Sequence, residues 1–197
     1  MDTVADPMKD KITLHGLGFI QVQLPAGRLH VWHPELPRRI CFHHSSIHDH
    51  RFDFESLVLV GSMENINYYV DRSARLCELT HEGYEHSSAR QACGCGGRGW
   101  EPVGSVCLRQ RQEFIIGAGQ QYSMSAYVPH RTNPLGDGRV ATLMRKGAVH
   151  KWPATSYVTL GVDPETDFDR YQWSVPTLWE IVIDVLGGAE FQIPSIP

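Results

Sequence analysis

Turn-forming residues interrupt this chain so often that only short elements fit between them: 18 Gly and 12 Pro are spread over 197 residues. That density leans toward many short strands. The intervals agree. Phe19-Ile20-Gln21-Val22-Gln23-Leu24 alternates apolar and polar like a half-buried strand, Pro25-Ala26-Gly27 turns the chain, and Arg28 to His33 alternates again, so the two read as a hairpin. Pro34 to Pro37 breaks the chain. Phe54 to Val60, stopped by Gly61, reads as a strand, as do Met63 to Val70, Val106 to Ile116, Gln120 to Val128, Val140 to Arg145 and Ser156 to Leu160. Residues 81–104 read as a loop-like insertion. One helix stands out over 177–186. Pro176 precedes the capping-box pattern Thr177-Leu178-Trp179-Glu180, Leu178, Ile181, Val182 and Val185 form an apolar face, and Gly187-Gly188 stops it. The expectation is an all-β chain with a loose arm over 1–18 and a single domain over 19–197. Its barrel would span 19–160, with the helix packed outside.

Composition excludes several classes. Apolar residues at 42% and charged residues at 20% are globular values, and no run approaches the ~20 apolar residues of a membrane helix. A net charge of −4 without any basic block argues against nucleic acid as the main partner. Cys41, Cys77, Cys93, Cys95 and Cys107 are odd in number, and Met1 to Pro7 shows no basic-then-apolar leader. A reducing, cytoplasmic setting is expected.

The chemistry lies in the histidines. There are 11, and His33, His43, His44, His48 and His50 crowd into one stretch. Side chains two apart on a strand share a face, so His48 and His50 can aim two imidazoles at one point. Glu55 could add a carboxylate if the strand bends between. Two imidazoles and a carboxylate on one side of an ion suit non-haem iron and O2 chemistry. The pair alone is weak evidence, and its surroundings strengthen it.

His48-x-His50, four residues, Glu55, five residues and Gly61 resembles the first conserved motif of the cupin superfamily, with Phe42 where a glycine is usual. Gly119 and His130 keep the spacing of the second motif, with Ser125 and Tyr127 in the places of its Pro and Gly and Asn133 one residue early. The resemblance covers residues 19–146. It implies a single-domain cupin (double-stranded β-helix, jelly-roll) barrel holding a divalent metal through His48, His50, Glu55 and His130. Fe(II) is the favoured ion, with Zn, Ni or Mn as alternatives. The implied activity is an Fe(II)-dependent dioxygenase acting on a small-molecule substrate and O2. An isomerase or lyase, or a non-catalytic binding module, remains as the alternative, and pairing into a homodimer stays open. Ser45-Ser46-Ile47-His48-Asp49-His50 is locally similar to cysteine dioxygenase, a family with three His ligands and no carboxylate. That family often has Cys where Glu55 stands and a Ser-x-His-x-Tyr relay where this chain reads Val140-Ala141-Thr142-Leu143-Met144-Arg145.

Arginine is the usual clamp for a substrate anion. Arg38, Arg39, Arg51, Arg109, Arg111 and Arg131 are candidates, and Arg109 and Arg111, sharing one strand face, are chosen together with Tyr122 as substrate-binding residues. Cys93-x-Cys95 in the Cys93–Gly97 loop reads as a flexible surface segment; a zinc clip there would need His81 and His86. Ser105, Ser123 and Ser125 lack a nucleophile-elbow context.

Overall fold

The computed structural model describes residues 11–90 and 98–187. Its elements in chain order are β1 (Ile12–His15), β2 (Phe19–Leu24), β3 (Gly27–Trp32), a short helix α1 (Phe42–Ser45), β4 (Ile47–His48), β5 (Phe52–Val60), β6 (Ser62–Val70), β7 (His81–Arg90), β8 (Arg98–Val106), β9 (Leu108–Gly117), β10 (Gln121–Met124), β11 (His130–Pro134), β12 (Val140–Val149), β13 (Thr155–Thr159) and α2 (Val175–Gly187). The chain is mostly β. Six strands form one sheet in the order β1-β2-β3-β12-β5-β10, and seven form a second in the order β8-β7-β13-β4-β11-β6-β9. Every pairing is antiparallel. The sheets are open, not hydrogen-bonded into the closed barrel that the sequence led us to expect. None of the described helices is long and apolar enough to cross a membrane.

Part of the six-stranded sheet is buried on both faces. Residues directly opposite each other in antiparallel strands point to the same side. Leu14, Ile20, Val31 and Ala141 are such partners across four strands, and this face lies under α2. The other face carries Phe19, Trp32, Val58 and Val140, which meet Met63 and Ile116 of the second sheet in a shared apolar cluster. Farther along the same face, Gln23, Arg28, Met144, Ser56 and Tyr122 stand side by side across five strands. Polar residues there line a cavity. Gln21, which alternation alone would turn to solvent, is buried facing this cavity instead, with the exposed Gln23 at its edge.

Two glycines of the cupin-like motifs sit where the backbone needs them. Gly61, at φ +71°, turns β5 into β6 so close to the Arg139 carbonyl that a Cβ would collide with it. Gly119, at φ +81°, shapes the turn before β10, and its N–H donates to the Val58 carbonyl at 2.8 Å. Both lie in the left-handed region that side chains disfavour.

Three expectations on local structure need correction. Residues 12–15, expected in a loose arm, are the edge strand β1, because Ile12 and Leu14 complete the apolar layer under α2. Residues 81–104 are not an insertion loop: β7 pairs with both β13 and β8, while the Cys93–Gly97 segment falls outside the described residues. The helix starts earlier than the capping box suggested. Ser174 Oγ accepts the Thr177 N–H at 3.3 Å, and Leu178 N–H makes the first helical bond, to the Ser174 carbonyl. Ser174 is therefore the cap, so Ser174→Ala is expected to cost about 1 kcal/mol in denaturant unfolding.

Candidate metal centre

β4, β11 and the bend after β4 build the site. His130 opens β11 opposite His48 in β4, so strand register sets these two rings side by side. His50 follows two residues on and returns to the same side. Ring centroids lie 4.6 Å apart for His48 and His130, 4.9 Å for His48 and His50, and 5.1 Å for His50 and His130. One ligand nitrogen from each ring falls within 4.8 Å of the other two. His48 Nδ1–H donates to the Ser46 carbonyl at 3.1 Å, and His130 Nδ1–H donates to the Val128 carbonyl at 2.9 Å. These bonds fix the tautomer and leave each Nε2 lone pair for a ligand. Burial pushes His48 and His50 well below the usual imidazole range and brings His130 down to about 4. All three are neutral near pH 7, the form that ligates a metal. The residues therefore fit a divalent ion.

Polar contacts frame these rings, buried at Asp49 and partly exposed at Tyr127. Asp49, between His48 and His50, points the other way. It accepts the Thr155 N–H at 2.8 Å and the Tyr157 hydroxyl at 3.3 Å, tying the histidine segment to β13. Tyr127 has φ 61°, rare for a bulky side chain. It stands where the cupin motif usually has glycine, so the left-handed turn persists without the glycine. Its N–H donates to the His50 carbonyl at 2.8 Å, and its hydroxyl and the Trp152 backbone bond in both directions. The turn leading to His130 is thus fastened to His50.

Other expected residues fall elsewhere. Glu55 is not brought to the histidines. Phe52, Phe54 and Ser56 of β5 face inward and are buried, so period-2 geometry turns Glu55 outward, where it pairs with Arg145 at 2.6 Å. Glu55→Gln is accordingly expected to leave metal stoichiometry unchanged in elemental analysis. Arg109 is held by Asp71 at 2.7 Å and Glu78 at 3.4 Å on the outer surface. Neither Arg109 nor the exposed Arg111 lines the cavity. Tyr122 does line it, and burial raises its phenol pKa. His43 and His44 are exposed on α1, and His33 is buried against Asp184 at 3.4 Å. Among the described residues Cys41, Cys77 and Cys107 are free thiols.

The histidines form part of the wall of a cavity of about 640 Å³ between the sheets. No family model matches the sequence, and no curated protein matches it. Among solved structures, the chain is similar to hydroquinone 1,2-dioxygenase from Sphingomonas sp. TTNP3 with 4-hydroxybenzoate bound. That match has 14% identity and a TM-score of 0.33, and covers 66% of this chain and 66% of that one. A second is hydroquinone 1,2-dioxygenase PnpCD in complex with Cd2+ and 4-hydroxybenzonitrile, at 14% identity and a TM-score of 0.30, covering 66% of this chain and 63% of that one. The chain thus spans slightly less than two thirds of the length of these solved chains.

Sequence reasoning missed the hairpin side of the cavity. His86 and Trp100, from β7 and β8, line it with rings edge to face at 4.9 Å. His86 Nε2 is 2.9 Å from the Ser156 hydroxyl. The usable signal was Trp100 and His86 themselves, large side chains that a solvated loop has little reason to carry.

Proposed function

We propose that this chain is a metal-dependent cupin of jelly-roll type, an Fe(II) dioxygenase that oxidises a small organic substrate with O2. The observation carrying this reading is the convergence of three neutral imidazoles on the wall of one substrate-sized cavity. His48, His50 and His130 would hold the ion. Fe(II) held there would supply O2 activation. With Glu55 turned away, the donor set is all imidazole, as the cysteine dioxygenase-like segment Ser45–His50 implies. Neutral imidazoles suit Fe, Zn and Ni, whereas Mn loses its hard carboxylate donor.

The chain's own residues supply orientation and dryness. Nδ1 bonds to Ser46 and Val128 keep two rings from rotating. Phe52 stacks on His50 at 4.9 Å and Phe54 meets it edge-on at 5.4 Å, so water is excluded from that side. Tyr122 lines the cavity with its ring, its hydroxyl donating to Met63 Sδ at 4.0 Å. β12 reads Val140-Ala141-Thr142-Leu143-Met144-Arg145, without the Ser-x-His-x-Tyr relay of the family resembled, so no proton relay is assigned to it.

The test begins with elemental analysis of protein purified without added metal or chelator. The expected result is iron at about one per chain. Nitric oxide added anaerobically to Fe(II)-loaded protein should then give a paramagnetic complex. Zinc or nickel in place of iron, with no nitric oxide signal after Fe(II) loading, would favour a non-redox cupin.

A further inference from the structure

The cavity wall holds a guanidinium that makes no side-chain hydrogen bond among the described residues. Arg39 follows the Pro34 to Pro37 break, and its N–H donates to the Gly16 carbonyl at 3.0 Å. Its side chain lies across Gly16, where any Cβ would collide with its Nε and Cγ. On another side its guanidinium carbon lies 4.6 Å from the centroid of the Trp100 ring. Backbone and indole therefore seat the guanidinium in a set position. Its Nη1 is buried and has no hydrogen-bond partner. Arg39 makes no ion pair among the described residues. Glu165, the acid that acts on it electrostatically, is engaged by the Ile40 N–H. Arg39, Trp100, His86 and the three-histidine cluster line the same cavity.

A guanidinium with a buried, unused donor is costly, since a desolvated polar group needs a partner to repay the loss of water. A planar fork seated on an aromatic face is also the geometry that recognises a carboxylate. We propose that Arg39, seated on Trp100, anchors the carboxylate of an anionic substrate whose body extends toward His48, His50 and His130. This deepens the dioxygenase reading and rests on it only for which end of the substrate reacts. Arg39 binds and positions the substrate. The preferred substrate is an organic acid, and its neutral amide is rejected because it brings no charge to a buried cation.

The experiment uses the full chain and two probes of one shape, benzoate and benzamide, with binding followed by calorimetry and Trp fluorescence. Metal-free wild type is expected to bind benzoate more tightly than benzamide. Arg39→Met should weaken benzoate roughly tenfold to a hundredfold, the worth of a hydrogen-bonded charge, and leave benzamide unchanged. Arg39→Lys keeps the charge but loses the planar fork, and should fall between the two. It also decides the matter should Arg39→Met fail to fold. Equal binding of the two probes, no benzoate binding by wild type, or unchanged benzoate affinity in the folded variants would overturn the proposal. Metal content is measured on the same samples. Arg39-dependent benzoate binding by a protein that takes up no metal would support the anion seat and remove the dioxygenase reading. Full metal content with Arg39-independent benzoate binding would do the reverse.

Discussion

Replacing His48 and His50 together by alanine is expected to abolish stoichiometric metal binding and leave the fold intact. His130 alone would remain, a single imidazole that cannot hold a divalent ion against competing water. The fold should survive because the rings face a cavity and not a close-packed core. The β4–β11 pairing runs through the backbone and does not need the imidazoles. Asp49, which ties this segment to Thr155 and Tyr157, is untouched. Ligand loss and unfolding are thus separable, with metal per chain read after gel filtration and strand content by circular dichroism. Full occupancy in the folded double variant would place the ion elsewhere. His50→Ala alone should retain weak, exchangeable metal, since His48 and His130 keep their register and their tautomers.

Alternation and turn residues made β2, β3, β5, β6 and β9 legible, because each buries a definite face between definite breaks. The histidine pair was legible for the same reason: side chains two apart share a side. Parity also contained the answer for Glu55. Phe52 and Phe54 face inward, so the residue beyond must face out, and only an unsupported bend could have brought it back. Less legible were residues whose neighbours are distant in sequence. Ile12 and Leu14 belong to too short a run to announce a strand, yet they are buried because α2 arrives from the far end of the chain. Gln21 looks solvent-facing until the second sheet encloses a cavity over it. Arg109 was drawn to Asp71 and Glu78, acids on other elements, and not to a substrate. Arg39 carried no pattern of its own; its meaning comes from Gly16 and Trp100, which only the fold brings to it.

The second large effect falls on stability. Leu178→Ala is expected to destabilise the chain by roughly 2–5 kcal/mol, the range for a buried leucine whose surroundings relax only in part. Leu178, Val182 and Val185 are each 1% exposed and form the stripe that α2 lays on Leu14, Ile20, Val31 and Ala141. That layer spans β1, β2, β3 and β12, so a cavity under Leu178 touches strands that cannot all close over it. At this chain length each kcal/mol lowers the melting temperature by about 2–4 °C. Ile183 is the internal control: it sits on the same helix at 66% exposure, and Ile183→Ala should stay within about 0.5 kcal/mol of wild type. Equal losses at the two positions would mean that α2 does not pack through this stripe. The proposed metal site offers a third reading. It lies across the sheet from α2, so folded Leu178→Ala protein should bind as much metal as wild type. Loss of metal without unfolding would instead couple the helix to the histidines through β3 and β12, the strands that carry the helix layer on one face and the cavity wall on the other.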